Sequence, residues 1–192
     1  MCNFASQFLA IYSVKIKEVL DALEQFAPLP LQEGFDNAGL QVGLTEAEVS
    51  GALLCLDVTE TIIDEAIALG CNVIVSHHPL IFHKLSQICG ADFVQRIVIK
   101  AIEHKIAIIS MHTNIDNVRE GVNFKIAEKM GLTNVQFLGE RKTVQVVLDN
   151  GEKVVAEGAS GVIGYFSQSM PAQQFVSMLK QTFHVESVMC NQ

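Results

Sequence analysis

Short apolar runs alternate with amphipathic segments through the middle of this chain, and this alternation restricts the possible folds more than any other feature. Each apolar run has the length of a strand, and each is followed by a segment of helical periodicity. In chain order these segments are residues 52–58, 59–70, 72–76, 94–105, 106–110 and 120–131. This order predicts βαβ units around a parallel sheet. Because the strands are continuously apolar, we expect a three-layer α/β architecture in which helices flank a mainly parallel sheet.

The residues before this region predict one helix and one irregular segment. Residues 14–26 place Ile16, Val19, Leu20 and Leu23 on one face of a helix. Residues 27–43 contain two prolines and three glycines, and they predict a loop with little regular structure. Within the second βα unit, either Thr59 or Thr61 can cap the helix, which is expected to end at Gly70.

The C-terminal residues predict a smaller appendage made of a hairpin, a helix and a strand. Two β-rich runs flank Asn150-Gly151, a dipeptide typical of a two-residue hairpin turn. A helix is predicted at about residues 171–182, and the apolar segment VESVM follows it.

Charge and cysteine content narrow the function classes. The formal net charge of −8 argues against nucleic acid or an anionic membrane as the main partner. No apolar stretch reaches the roughly 18 residues that a membrane-spanning helix needs. The five cysteines form no CxxC pair, which is typical of reduced thiols. We therefore expect a cytoplasmic protein.

Histidines and a carboxylate follow two neighbouring strands of the predicted sheet. His77 and His78 come directly after one strand, and His112 and Asp116 come after the next. The carboxyl ends of parallel strands meet at one edge, so we expect these residues to lie on the same rim. Two imidazoles and a carboxylate suit a divalent transition metal, and mixed ligation of this kind admits zinc, iron, manganese or nickel.

The adjacent histidines bear on the number of ions. If the backbone stays extended, the side chains of His77 and His78 point to opposite sides, which favours one ligand to each of two ions. Asp116 could then bridge the pair. His112 is either a further ligand or a residue that holds Asp116 or a water.

Other polar residues near this rim have plainer interpretations. Asp57 ends a strand there, and a capping or hydrogen-bonding role suits it at least as well as metal binding. The FDNAGLQVG segment can also be explained as a structural turn without a role in the site. A single histidine at a strand end is more often a satisfied polar residue than a ligand, so the metal prediction depends on the whole set.

Three segments together resemble a known family. LQEGFDNAGLQVG, then ALLCLDVTETIIDEAIALGCNVIVSHHPLIF, then HTNIDNVREGVN are similar in order and spacing to the Nif-three-like or YbgI-type dinuclear-metal proteins, often called GTP cyclohydrolase type 2 homologues. The resemblance implies that His77, His78 and Asp116 are metal ligands and that His112 lies in the site. It also implies a homohexamer with its metal sites facing an internal cavity.

The chain departs from the family pattern at both ends. The family completes its site with a His and a Glu from a late HYxSE-like segment, which this sequence lacks, so we expect a member without its C-terminal part. Such a half-site is expected to hold metal less tightly. The resemblance divides the chain into an N-terminal extension (residues 1–13), a metal-binding α/β domain (residues 14–140), and a hairpin that starts an incomplete C-terminal half (residues 141–192).

Two functions of different classes follow from the resemblance. The first is a metal-dependent hydrolase in which metal-activated water attacks a small molecule, with a nucleotide as the candidate substrate. The second is a metal-binding or metal-handling oligomeric scaffold without turnover. The sequence offers no evident general base or nucleophile outside the metal-binding residues, which keeps the second function open.

Overall fold

The computed structural model describes residues 13–190, so the predicted extension at residues 1–13 lies outside the described residues except for Ser13. Contacts divide the described chain into two compact units, one of residues 13–22 and 40–110 and the other of residues 23–39 and 111–190. In chain order the elements are α1 (Ile16–Phe26), a 3-10 turn (Leu29–Leu31), β1 (Gly39–Val42), β2 (Ala52–Cys55), α2 (Glu60–Leu69), β3 (Val73–Ser76), α3 (Phe93–Glu103), β4 (Ala107–Ser110), α4 (Thr113–Asn117), α5 (Val122–Lys129), β5 (Thr133–Leu138), β6 (Lys142–Val147), β7 (Lys153–Gly158), β8 (Gly161–Tyr165) and α6 (Ala172–Phe183).

The first unit is built on a four-stranded sheet with strand order β1-β4-β3-β2. β2, β3 and β4 are parallel, as the alternating pattern predicts. The register pairs Cys55 with Ser76, and Ser76 with Ser110. The carboxyl ends of the three strands are therefore level, and the residues that follow them leave the sheet side by side.

Helices α2 and α3 are the crossovers between these parallel strands, and they pack against each other. Ile63 and Ala66 of α2 are fully buried, as are Ile97 and Ala101 of α3. Spacings of three and four residues place each pair on one helical face. That face packs with Ile74 and Ile108 of the central strands in a single hydrophobic core. The α/β architecture with a mainly parallel sheet flanked by helices is thus confirmed.

The ends of α2 show how local sequence sets helix boundaries. The hydroxyl of Thr59 accepts a hydrogen bond from the backbone N–H of Ile62, so Thr59 is the N-cap rather than Thr61. Gly70 ends the helix in a left-handed conformation (φ +70°), a conformation glycine adopts without a Cβ penalty.

Removal of the Thr59 cap is expected to destabilise the protein by about 1 kcal/mol, because one N–H of the first turn of α2 loses its acceptor. Thr59→Ala should lower the melting temperature by about 2–4 °C, measured by circular dichroism. Thr59→Ser keeps the acceptor and should melt with the wild type. Equal melting of Thr59→Ala and Thr59→Ser would contradict the assigned cap.

The prediction of an irregular loop at residues 27–43 is wrong in part. The segment contains the 3-10 turn at Leu29–Leu31 and the strand β1. Pro30 lies at the start of the turn, where its missing N–H needs no partner. β1 has only four residues and begins at a glycine, which is too short for a periodicity to be recognised. The strand predicted at residues 52–58 is also shorter, because β2 ends at Cys55.

The second unit contains the short helix α4, where the sequence predicted only the end of a strand. Two buried asparagines hold α4 against the preceding segment of this unit. Asn114 donates to the carbonyl of Ala27 (2.7 Å), and Asn117 donates to the carbonyl of Leu31 (2.9 Å). Neither bond is visible in the sequence, because each joins residues more than 80 positions apart.

The remainder of the second unit contains the predicted hairpin and helix. β6 and β7 pair antiparallel, and β5 pairs with β8. The hairpin is confirmed, but its connection is longer than two residues, because Leu148 N–H bonds to Glu152 O beyond the Val147–Lys153 pair. Gly151 takes a left-handed φ of +87° and donates to Leu148 O. The prediction of a strand after the last helix is wrong, because residues 184–190, which follow α6, form no strand. The strand β8 lies before α6 in the chain.

Within residues 13–190, none of the helices combines the length and hydropathy needed to cross a membrane.

Candidate metal centre

His77 and His78 lie immediately beyond β3, where the chain bends away from the sheet. Their ring centroids are 4.9 Å apart, with the rings tilted by 53°. The expectation that the two side chains point to opposite sides depended on an extended backbone, and the backbone bends at both residues. Alternation of side chains requires extended backbone, and the strand has already ended at Ser76. Adjacent rings can thus approach a common point.

Two buried serines fix the backbone of these histidines. The Ser76 hydroxyl donates to the carbonyl of His78, and the Ser110 hydroxyl donates to the carbonyl of His77, both at 2.9 Å. Ser76 and Ser110 are 1% and 0% exposed. Satisfied polar groups in a buried position hold a geometry firmly, because breaking them leaves unpaired atoms. Neither serine was predicted from the sequence as a site residue, although Ser-His-His and Ser-Met-His each end an apolar run.

The Asp57 carboxylate forms a hydrogen bond with one ring nitrogen of His78. Its carboxylate Oδ1 lies 2.7 Å from His78 Nδ1, and the two side chains are 61% and 45% exposed. The hydrogen-bonding role that the sequence offered for Asp57 is therefore present. A carboxylate on one nitrogen of an imidazole is the usual outer partner of a histidine that ligates metal through the other.

His112 shows the same arrangement in a more enclosed setting. It lies at the N-cap of α4, and its Nδ1 is 2.8 Å from Oδ1 of Asp36. The Asp36 side chain has no exposed surface, whereas that of His112 is 17% exposed. The segment containing Asp36 was interpreted from the sequence as a structural turn, because nothing near Asp36 in the chain indicates its distant partner.

Several hydrogen bonds keep Asp36 ionised. Burial by itself raises the pKa of this carboxyl, but hydrogen bonds from the Thr113 hydroxyl, the His112 ring and the Thr113 and Asn37 amides outweigh it. The pKa of Asp36 therefore lies below its ordinary value. An ionised carboxylate accepts hydrogen bonds and donates none, so the proton shared with His112 belongs to Nδ1.

The three histidines form a group that could hold a metal ion. In the chain, His77 and His78 follow β3 directly and His112 follows β4 by two residues. One ring nitrogen from each of the three lies within 4.8 Å of the other two. Among residues 13–190, it is the one group of three or more potential metal ligands that lie this close together. Imidazole nitrogens suit zinc, iron, nickel and copper ions.

Asp116 lies within α4, and its backbone carbonyl accepts a hydrogen bond from Asn123. It lines a cleft of about 550 Å³ in the second unit. The other lining residues are Glu33, Phe35, Thr113, Asn117, Val122, Asn123, Ile126 and Ser160. Ligation of metal by Asp116 stays a prediction.

The lining of this cleft includes a hydrogen-bonded carboxylate, Glu33, and an exposed aromatic ring, Phe35. Glu33 accepts hydrogen bonds from Asn117 (2.8 Å), Ser160 (3.2 Å) and Lys142 (3.3 Å). The pKa of Glu33 lies below its ordinary value because the Asn117 bond, the largest effect, acts together with those from Lys142 and Ser160 to outweigh burial. Phe35 is 68% exposed. The cleft therefore offers an aromatic face next to fixed negative charge.

Sequence comparison relates the chain to one family. The sequence model of the family described as Duf34/NIF3 (NGG1p interacting factor 3) matches residues 14–192. The GTP cyclohydrolase 1 type 2 homolog of Clostridium acetobutylicum is 34% identical over 176 residues, which are 92% of this chain and 62% of that protein. The chain thus spans less than two thirds of the length of this relative.

Solved structures are similar in fold. A hypothetical protein from Staphylococcus aureus has a TM-score of 0.77 at 28% identity, covering 92% of this chain and 66% of that one. A Bacillus cereus protein related to NIF3 has a TM-score of 0.74 at 25% identity, covering 92% and 72% respectively. Sequence and fold therefore point to the same set of relatives.

Proposed function

Since this chain belongs to the Duf34/NIF3 (NGG1p interacting factor 3) family, we propose that it is a divalent-metal protein that hydrolyses a small molecule. The observation that carries the proposal is the group of three histidines at the ends of β3 and β4. His77, His78 and Asp116 are the proposed ligands, with His112 as a further one.

The hydrogen bonding of the histidines fits this role. Carboxylates engage Nδ1 of His78 and of His112, which assigns the ligating lone pair of each ring to Nε2. The serine contacts hold the backbone of His77 and His78, so little ordering remains to be done on binding. A divalent ion bound there would lower the pKa of its water ligand and supply hydroxide near neutral pH.

The number and identity of the ions are part of the proposal. The family resemblance supports two ions, whereas the proximity of the His77 and His78 rings removes the stereochemical reason for assigning them to different ions. Imidazole and carboxylate ligands admit zinc, iron, manganese or nickel. A homohexamer and a cytoplasmic location are proposed on the resemblance and on the sequence composition. Because the chain spans 62% of its Clostridium relative, activity of the whole protein is proposed by analogy.

A nucleotide is the proposed substrate class. The cleft lined by Asp116 offers Phe35 for stacking against a planar ring and Glu33 as an acceptor for N–H groups. The name of the Clostridium relative makes GTP the first compound to test.

Turnover of GTP by the metal-loaded protein tests the proposal. His77→Ala and Asp116→Ala should each lower the rate by about 10²-fold or more, since even outer partners of metal ligands cost 10–100-fold. His104→Ala is the matched control, because His104 is an exposed residue at the C-cap of α3. Equal rates in all four proteins would exclude hydrolysis of GTP by this site.

A metal-binding scaffold is the second candidate. The side chains of His78 and Asp57 are 45% and 61% exposed, so this part of the centre is open to solvent and to ion exchange. Metal binding that depends on His77, without turnover of GTP or other nucleoside triphosphates, would favour this function.

A further inference from the structure

The side chain of Asp36 is completely buried, whereas those of Glu33 and Asp57 are 27% and 61% exposed. Burial of a carboxylate is costly unless hydrogen bonds and charge compensate for the lost hydration. The segment around it, Gly34 to Gly39, forms no helix or strand before Gly39. A need for regular structure therefore does not explain an aspartate at this position.

The two oxygens of Asp36 have different partners. Oδ2 accepts from the backbone N–H of Thr113 at 3.0 Å and from the Thr113 hydroxyl in a short contact. Oδ1 accepts from Nδ1 of His112 at 2.8 Å and from the N–H of Asn37. The Thr113 hydroxyl itself accepts from Glu33 N–H, so its proton is directed at Asp36. All of these donors are fixed in place by backbone or by α4.

We propose that Asp36 is a positioning residue that holds His112 in the Nδ1–H tautomer and so presents Nε2 as the metal-binding nitrogen. The inference rests on the proposed metal function for its purpose, but its geometry stands without it. The hydrogen bond on one imidazole nitrogen decides which nitrogen carries the proton. With Nδ1 protonated, the lone pair of His112 belongs to Nε2, which is the form that can ligate a divalent transition metal.

Asp36→Asn keeps the shape of the side chain but removes its charge and replaces one of its two acceptor oxygens by a donor. The amide has one acceptor and one donor end, and the backbone N–H of Thr113 cannot change role. The imidazole can change role by moving its proton to Nε2, and the N–H of Asn37 can turn to water because Asn37 is exposed. We therefore expect the amide oxygen to face Thr113 and the NH₂ group to face His112. His112 then becomes the Nε2–H tautomer and loses its outward lone pair, as in the catalytic triad in which an aspartate-to-asparagine change imposes the wrong tautomer.

The test reads the tautomer in metal-free protein and the metal affinity separately. Two-bond ¹⁵N–¹H correlation spectra of ¹⁵N-histidine-labelled protein are recorded at about pH 8, where an ordinary imidazole with a pKa of about 6.5 is neutral. We expect Nδ1–H for His112 in the wild type and Nε2–H in Asp36→Asn. In competition titrations with Zn²⁺, we expect Asp36→Asn to bind about 10–100-fold more weakly.

Thr113→Val is the matched control, because it removes a hydroxyl contact to the same carboxylate but leaves the His112 contact. It should keep the Nδ1–H tautomer and lose less than about threefold in Zn²⁺ affinity, less than the effect of an outer partner. An Nε2–H signal for His112 in the wild type would overturn the proposal even if Asp36→Asn failed to fold. So would equal losses of Zn²⁺ affinity in Asp36→Asn and Thr113→Val. If the wild type binds no Zn²⁺ but shows Nδ1–H, the proposed metal function fails while the positioning of His112 by Asp36 stands.

Discussion

Replacement of both His77 and His78 by alanine is expected to reduce bound metal to the level of a protein without a site. The double change removes two of the three imidazoles that lie within 4.8 Å of one another. The proposed ligands that remain, His112 and Asp116, are too few to compete with water and buffer for a divalent ion, since stable protein sites use three or four ligands. Elemental analysis of the purified protein measures the effect directly.

Thermal stability gives a second measurement of the same loss. Metal present at 100 times its dissociation constant stabilises a folded protein by about 2.7 kcal/mol, which corresponds to about 5–10 °C for a chain of this size. The wild type should show this shift on addition of Zn²⁺ or Mn²⁺, and the double variant should not.

His83→Ala/His104→Ala is the matched control, because it removes two histidines outside the group. It should retain the metal content and the thermal shift of the wild type. Metal contents that are the same in the wild type and in His77→Ala/His78→Ala would exclude the proposed centre.

Replacement of Gly43 by alanine is expected to destabilise the first unit by about 3–5 kcal/mol, through left-handed strain and overpacking acting together. Gly43 follows β1 and has φ +121°. A Cβ at this position would lie 2.6 Å from the Cβ of Ala107 and 2.8 Å from its Cα. Ala107 is the fully buried first residue of β4, so the backbone of β1 or β4 would have to shift.

Two other glycines separate the contributions to this effect. At Gly131 an alanine would have to adopt a left-handed φ of +73°, but its Cβ would enter open space. Gly131→Ala should therefore lower the free energy of unfolding by about 1 kcal/mol. At Gly34 an alanine would meet neither a left-handed φ nor a close contact, so Gly34→Ala should change the free energy of unfolding by less than about 0.5 kcal/mol. Chemical denaturation should rank the variants as Gly34→Ala, Gly131→Ala and Gly43→Ala in increasing loss. A Gly43→Ala variant as stable as Gly131→Ala would show that the contact with Ala107 is absent.

Local sequence signals are enough to predict the parallel sheet, most of the helices and the strand ends that precede the histidines. Continuous apolar runs and capping residues are local signals: Thr59 and Gly70 bound α2, and the fold needs no distant information there. The rim location of His77, His78 and His112 also follows from sequence, because parallel strands of similar length end at the same edge.

The hydrogen bonds that position the site residues depend on contacts between segments distant in the chain. Asp36 and His112 are 76 positions apart, and the hydrogen bond between them forms because Asp36 and α4 fold into the same unit. The end of β3 at Ser76 agrees with the apolar run, but the 4.9 Å approach of the His77 and His78 rings depends on the bend of the backbone beyond it. Propensity and periodicity act over a few residues, whereas desolvation of Asp36 and the close approach of Gly43 to Ala107 exist only between segments distant in sequence.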